Sequence, residues 1–519
     1  MQNDRFAPPP LGTQNDKYPP PMGFTSAPPQ PGYPPQGHPA DITPADTYEG
    51  PPPAPPEPPR DPLTRVEPPR DGCFTQKNKP QPEAVGAAGL IFMSGGMNIA
   101  WAIGFRGSIG YQSTKHNYVA WFIGAIIGAG VSCLLTNKVA KKYVLLFCSV
   151  LVTIGGLVIA CTHNNGPGTV AACYLDGIAN GLIFAPFVAL AGEISVPYKR
   201  GMITCTLEQL FYSVGILLQI LYTSSWTSEY RQAFTAENMK GALSVVCGVF
   251  AFIRGSLKII ESPVLMLANN DEQGAIDALR RLQNRSVPSE ETYDQLAEHK
   301  RYLAHNKDMS KSQSISQALP TFARLALLRV LNAMSISSFV ILTLYFSIIV
   351  SYGLASTTAW YIGFGFCRWV GNIIPSFCMD CLGRKKPTCL GLLVSCGLSF
   401  ALGAQYNVYS LMSGVAGLLL VFGFFAGMAS AATSSYLSEA YPLGVKQHFI
   451  ALTFATEMFV MLIINVCDYN PLEGSTYFYV MGAMYLVGFI LAVVSLPETK
   501  KMTLRGAQIQ FSSFLNTRF

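Results

Sequence analysis

Five ionisable residues stand inside long apolar stretches of this 519-residue chain: Asp176, Glu208, Arg254, Arg368 and Glu457. A charge in such a stretch is costly in hydrocarbon unless it faces a cavity, a partner or the interface. The chemistry open to these side chains is non-covalent: an ion pair that fixes packing, or contacts to a polar solute. Arg254 lies near the end of its stretch, where a long side chain can reach the headgroups. Arg368 and Glu457 sit eleven and nine residues into their stretches, roughly 14–17 Å deep at 1.5 Å per residue, and so at one level near a bilayer midplane. They are expected either to pair with each other or to form two parts of a polar solute site. Asp176 and Glu208 could face them from the first half of the chain. Glu208 is next to Gln209, so the two are not expected to point together at a common cavity.

A second set of charges recurs with a fixed spacing. In the first half Lys141 and Lys142 close one short loop, and Glu193 and Arg200 lie in Gly192-Glu193-Ile194-Ser195-Val196-Pro197-Tyr198-Lys199-Arg200-Gly201. In the second half Asp380, Arg384 and Lys385 close the corresponding loop, and Glu439 and Lys446 bracket another. Lys142 to Glu193 is 51 residues and Lys386 to Glu439 is 53, as a duplicated unit would give. Bases in one loop and a carboxylate at a neighbouring helix end are expected to pair across one membrane face. Such pairs would hold the two halves together there and part when the path opens on that side. No nucleophile–base pair or metal-ligand constellation occurs, so neither enzyme chemistry nor a cofactor is expected. The thirteen cysteines mostly lie in apolar segments and read as small packing residues.

The elements that must position these charges are membrane spans. Half of the residues are hydrophobic and 13% are charged, well below the usual quarter for a soluble protein. Apolar stretches long enough to cross a bilayer recur at about 84–105, 118–136, 143–162, 169–192, 202–223, 240–260, 325–350, 357–378, 386–405, 411–437, 448–469 and 475–496, numbered here as spans 1 to 12. The expected fold is an all-α membrane protein of two six-helix bundles, at 84–260 and 325–497. A polar linker at 261–324, with short surface helices over 271–281 and 290–307, separates them. Basic residues cluster in alternate loops, which places that side, both termini and the linker in the cytoplasm, in a multi-pass protein of the plasma membrane. The net charge of +6 carries no nucleic-acid signature.

Residues 1–83 hold most of the 36 prolines and are expected to form a disordered cytoplasmic tail. Pro55–Arg60 has the spacing of a proline-rich ligand for an SH3-type groove. Residues 498–519 form a second, shorter cytoplasmic tail.

Taken together, Gly192-Glu193-Ile194-Ser195 with Arg200-Gly201, Gln209-Leu210, Gly215-Ile216-Leu217-Leu218, Glu261-Ser262-Pro263, Asp380 with Gly383-Arg384-Lys385, and Pro497-Glu498-Thr499-Lys500 resemble the sugar porters of the major facilitator superfamily, the facilitative hexose and insect trehalose transporters. The resemblance covers roughly residues 85–505. It implies an alternating-access fold with the solute between the halves, and it adds Glu261 and Glu498 to the gating charges. It also implies solute contacts at Gln209, Tyr345, Arg368, Ser434 and Glu457. Several of these depart from the family. Ser335 and Ile336 stand at its glutamine pair, Arg368 and Glu457 at neutral polar positions, and Ser434 at a pocket tryptophan. Span 1 has no acid of the kind that proton-coupled members use. The expected cargo is therefore a small polar or charged organic solute. A true hexose or trehalose carrier with a remodelled pocket is the alternative, and a non-transporting membrane sensor or scaffold is a third reading.

Overall fold

In lipid, every backbone N–H and C=O must be satisfied within its own segment, and a helix does this without partners. The computed structural model describes residues 65–66, 78–107, 112–162, 165–225, 234–353, 357–406, 412–467 and 474–513. Among them there is no strand. The expectations for most of the proline-rich tail, including Pro55–Arg60, fall outside the described residues.

Twelve long helices supply the spans: Pro80–Ile103, Lys115–Leu135, Lys141–Cys161, Gly166–Ile194, Arg200–Ser225, Ala236–Lys258, Lys311–Tyr352, Thr357–Leu382, Lys385–Tyr406, Met412–Ala440, Lys446–Val466 and Gly474–Ser495. Eleven are apolar enough to cross a membrane by composition alone. Span 8, Thr357–Leu382, is the exception, because it buries Arg368, Asn372, Ser376 and Asp380.

Eleven starts fall within four residues of the sequence expectation, and that of span 7 does not. Span 1 begins at Pro80 rather than 84, with proline in its first turn, where the missing N–H costs nothing. Span 7 begins at Lys311 rather than 325. Ser310 and Gln313 form a capping box that nucleates it inside the polar linker. Span 7 then breaks between Ser335 and Ser338. The linker also holds the helices Pro263–Ala268, Glu272–Leu282 and Glu290–Lys307. No disulfide joins the described cysteines, and Cys378 and Cys381, in C-x-x-C spacing at the end of span 8, are free thiols.

Within the first half, span 2 packs on span 4, span 3 on span 6 and span 1 on span 5. In the second half span 8 packs on span 10 and span 9 on span 12, which repeats two of those pairings six spans later. The halves meet where span 2 crosses span 11 and span 5 crosses span 8. These two contacts are equivalents under the same duplication. Spans 1 and 4 are almost wholly enclosed, whereas spans 3, 6 and 12 are buried over less than half of their apolar windows. Their exposed faces carry Phe147, Ile154, Phe250, Ile253, Val480 and Ile490, the apolar surface that acyl chains cover.

Glycine sets how closely the inner spans approach. A Cβ built on Gly181 of span 4 would collide with the Ala125 carbonyl of span 2, and one on Gly371 of span 8 with the Phe424 carbonyl of span 10. Small residues at such crossings let backbones touch where lipid offers no hydrophobic drive for association. Gly181→Ala should therefore cost about 1–3 kcal/mol of stability. Gly397→Ala, where a Cβ meets nothing within 4 Å, should be neutral. Equal melting temperatures for the two variants in detergent would refute the tight seam.

Candidate functional site

The centre of the molecule is built from span 5. Its Thr206–Leu210 turn is a π-helix, wider than an α-turn. The wider turn brings Glu208 and Gln209 into one cavity, against the expectation that neighbours on an α-helix could not share it. Both line the space between the halves, together with Arg329 and Asn332 of span 7, Arg368 of span 8 and Glu457 of span 11. Glu208 and Arg329 are 1% exposed, and Arg368 and Glu457 are 4% exposed. These charges are thus fully withdrawn from solvent.

Each of them has partners, although Arg329 Nε meets no hydrogen-bond acceptor among the described residues. The Arg329 guanidinium grips both oxygens of Glu208, with Nη2 donating to Oε2 at 2.7 Å and Nη1 to Oε1. Arg329 Nη1 also donates to Glu457 Oε2 at 3.0 Å. Ser434 Oγ donates to Glu208 Oε2 at 2.6 Å, and Gln209 Nε2 donates to Glu208 Oε1 at 2.9 Å. The guanidinium lies 5.5 Å from the ring centre of Phe184, a cation–π contact from span 4. Arg368 and Glu457 do not pair directly. Asn332 stands between them, donating to Glu457 Oε1 at 2.6 Å and accepting from Arg368 Nη2 at 2.6 Å, while Arg368 Nη1 donates to Ser335 Oγ at 3.0 Å. The amide satisfies a cation and an anion at once, one through each end.

Of the solute contacts expected from sequence, Gln209, Arg368 and Glu457 line the cavity. Ser434 touches it only through Glu208. Tyr345 is not brought there. It lies nine residues beyond Ile336, the last span 7 residue on the cavity, roughly 13 Å further along the helix, and its ring packs on Phe346. Arg329 and Asn332 were the residues that sequence reasoning missed. Starting span 7 at 325 left Arg329 near a helix end, where charge is cheap, although it is eighteen residues into the helix that begins at Lys311. The readable signal was the spacing Arg329, Asn332, Ser335, one helix face inside an apolar run.

A hydrogen-bond chain leaves the cavity into the first half. Tyr212 donates to Asn180 Oδ1 at 3.1 Å, and Asn180 Nδ2 donates to Asp176 Oδ1 at 2.9 Å. Trp121 and Ser94 also donate to the Asp176 carboxylate, at 2.7 and 2.5 Å. Asp176 therefore hydrogen-bonds within its own bundle and does not face the cavity.

On the linker side the repeated charges assemble into two kinds of contact. Three carboxylates bridge the halves. Glu193 takes Lys141 and Lys446, each at 3.5 Å. Glu439 takes Arg384 at 2.8 Å and Arg200 at 3.7 Å. Asp380 accepts the backbone N–H groups of Gly201 and Met202 at 3.1 and 2.9 Å, capping span 5 from span 8. The other members stay within one half. Glu261 accepts the Lys142 N–H at 2.9 Å, and Glu498 accepts the Arg384 and Lys385 N–H groups at 2.9 and 3.0 Å. These two acids cap the starts of spans 3 and 9, where the helix dipole favours an anion. They do not join the halves, contrary to the expected cross-face pairing. At Arg384, outside the spans, burial would lower the guanidinium pKa. Glu439 and Asp380 outweigh it and raise the value above the usual arginine range.

The opposite side is closed too. Phe105 meets Tyr361 edge-on at 5.2 Å, and Lys115 Nζ reaches the Val466 carbonyl at 3.0 Å. The central cavity is left with about 40 Å³, room for water but not for a hexose. The geometry is that of an occluded carrier.

A family model described as Sugar (and other) transporter matches residues 110–511. YwtG of Bacillus subtilis (strain 168), named a putative metabolite transport protein, is 29% identical over 172 residues, 33% of this chain and 36% of that protein. The arabinose-proton symporter of the same organism is 23% identical over 446 residues, 81% of this chain and 92% of its own. Among solved structures, the proton:xylose symporter XylE bound to 6-bromo-6-deoxy-D-glucose superposes with a TM-score of 0.66 at 16% identity, covering 82% of this chain and 98% of that one. The inward-open form of XylE from E. coli, with the same coverage and identity, gives 0.57.

Removing Arg329 would strand two buried carboxylates. Arg329→Ala should therefore lose about 3–5 kcal/mol, and adding Glu208→Gln and Glu457→Gln should restore much of that loss. An Arg329→Ala protein as stable as its parent would show that the three charges do not depend on one another.

Proposed function

The chain belongs to the sugar (and other) transporter family as a sugar-porter-like membrane carrier, and from that premise we propose that its cargo is a small polar organic solute bearing charge, held between the halves at Glu208, Gln209, Arg329, Asn332, Arg368 and Glu457. The observation that carries this reading is the set of four ionisable side chains on one cavity. A neutral ligand would leave Arg368 without a counter-charge, since Arg329 takes both carboxylates and Arg368 is held only by Asn332 and Ser335. A solute with a carboxylate or an ammonium can exchange with one of the partners and leave every charge matched. A neutral sugar is the second reading. It is favoured by the amides of Gln209, Asn332 and Asn372, which suit hydroxyl groups, and by the cargo in the names of the arabinose and xylose symporters.

Transport then requires the linker-side bridges to break while the opposite contacts hold, and the reverse. Glu193, Glu439 and Asp380 form the gate in this reading, with Lys141, Arg200, Arg384 and Lys446 as its cationic side. The positive-inside rule assigns the linker side to the cytoplasm, with both termini there. The membrane of this reading is the plasma membrane.

Uptake into proteoliposomes should favour amino-acid-like zwitterions or organic ions over hexoses and pentoses. Arg368→Ala should fold yet lose at least tenfold in uptake, with little recovery in Arg368→Lys, since lysine lacks the planar fork. Saturable uptake of sugars alone would decide for the second reading. Glu193→Gln and Glu439→Gln should each slow turnover severalfold with a smaller change in solute affinity. Wild-type turnover in both would remove these carboxylates from the gate.

A further inference from the structure

Outside the solute path, on the linker side, a cavity of about 690 Å³ lies between the start of span 1, the end of span 6 and the end of the linker helix Glu272–Leu282. Five cations line it, Lys79, Lys258, Arg280, Arg281 and Arg285, against one carboxylate, Glu83. Glu83 is taken up by Lys258 at 3.2 Å and Lys79 at 3.8 Å. Arg280 pairs with Asp277 at 2.5 Å and also reaches the Ser286 carbonyl. Arg281 and Arg285 are exposed, and their side chains make no hydrogen bond or ion pair with another described residue. Two guanidinium groups thus line an open chamber with their donors uncommitted among the described residues.

A second cavity, of about 400 Å³, shares Lys79 and Glu83 with the first. It continues into the membrane-facing cleft between spans 1 and 5, along Val85, Leu90, Ile203, Leu207 and Phe211. Arg254 of span 6 stands at its edge, exposed, one turn deeper than Lys258. A basic chamber at headgroup level that opens into an apolar cleft matches one kind of molecule. A nucleic acid or an acidic peptide would use the first part and not the second.

We propose that these joined cavities bind an anionic phospholipid, with a phosphorylated headgroup among Lys79, Arg281 and Arg285 and an acyl chain in the cleft between spans 1 and 5. Guanidinium groups suit phosphate because their fork gives two parallel hydrogen bonds. Basic pockets beside membrane helices on the cytoplasmic face collect such headgroups, which concentrate in that leaflet. The leaflet rests on the orientation proposed above. The binding test does not, since it is made in detergent and needs no transport.

The full chain, purified in a neutral detergent, is titrated with a short-chain phosphatidylinositol bisphosphate while melting temperature and lipid retention in native mass spectrometry are recorded. Phosphatidylcholine of the same chain length and soluble inositol trisphosphate are the comparators. The bisphosphate lipid should raise the melting temperature and stay bound, and phosphatidylcholine should do neither. Arg281→Gln with Arg285→Gln should weaken lipid binding at least tenfold and leave the lipid-free melting temperature unchanged. Arg281→Lys with Arg285→Lys should bind more tightly than the glutamine pair and more weakly than the parent, keeping the charge without the fork. Equal stabilisation by phosphatidylcholine, or parental affinity in the glutamine pair, would overturn the site. Soluble inositol trisphosphate binding as tightly as the lipid would overturn the lipid assignment in favour of a free-anion site.

Discussion

The grip of Arg329 on Glu208 and Glu457 is the constraint around which the rest of the molecule is arranged. Three ions out of water, deep in the protein, are tolerable only when each is matched and its remaining hydrogen-bonding capacity is filled. Glu208 comes from the first half and the other two from the second, so the match can be made only with the halves together at the centre. The π-turn in span 5 delivers Glu208, and the capped early start of span 7 sets the depth of Arg329. Ser434, Asn332 and Phe184 add contacts to the three groups, leaving Arg329 Nε as the one polar atom of the triad buried without a hydrogen-bond partner among the described residues. Much of the irregularity in the inner spans has this purpose.

The duplication shows most clearly in how the two halves treat their ends. Glu261 follows span 6 and caps span 3, and Glu498 follows span 12 and caps span 9. The bridges between halves are less even. Asp380 caps span 5 with two backbone hydrogen bonds, while the corresponding loop of the first half offers only Asn137, 3.4 Å from the Gln447 amide at the start of span 11. One side of the gate is therefore tied through a charged cap and the other through a weak neutral contact.

How much of this could be read from sequence follows from the range of each signal. The spans, their count and the pairing into two units rest on stretch length and on repeated motifs, which are local and redundant. Arg368 and Glu457 were visible because each interrupts a long apolar run far from its ends. The partner of Glu457 was not visible, because a boundary error of fourteen residues at span 7 hid Arg329 among residues that seemed to lie at a helix end. The shared cavity position of Glu208 and Gln209 depends on a local change in helix winding, for which Thr206–Leu210 carries no compositional mark. Tyr345 was placed by likeness alone, and register along a broken helix is what likeness transmits least well.

The central cavity holds two guanidinium groups and two carboxylates. With all four ionised, the charge of the cavity itself sums to zero. Moving one elementary charge across a membrane potential involves about 2.3 kcal/mol per 100 mV. These four groups move no net charge when the cavity returns empty, so voltage exerts no force on that step through them. Charge moved at the site then comes from the cargo and from ions that accompany it, and the direction of that current reports the sign of what is carried.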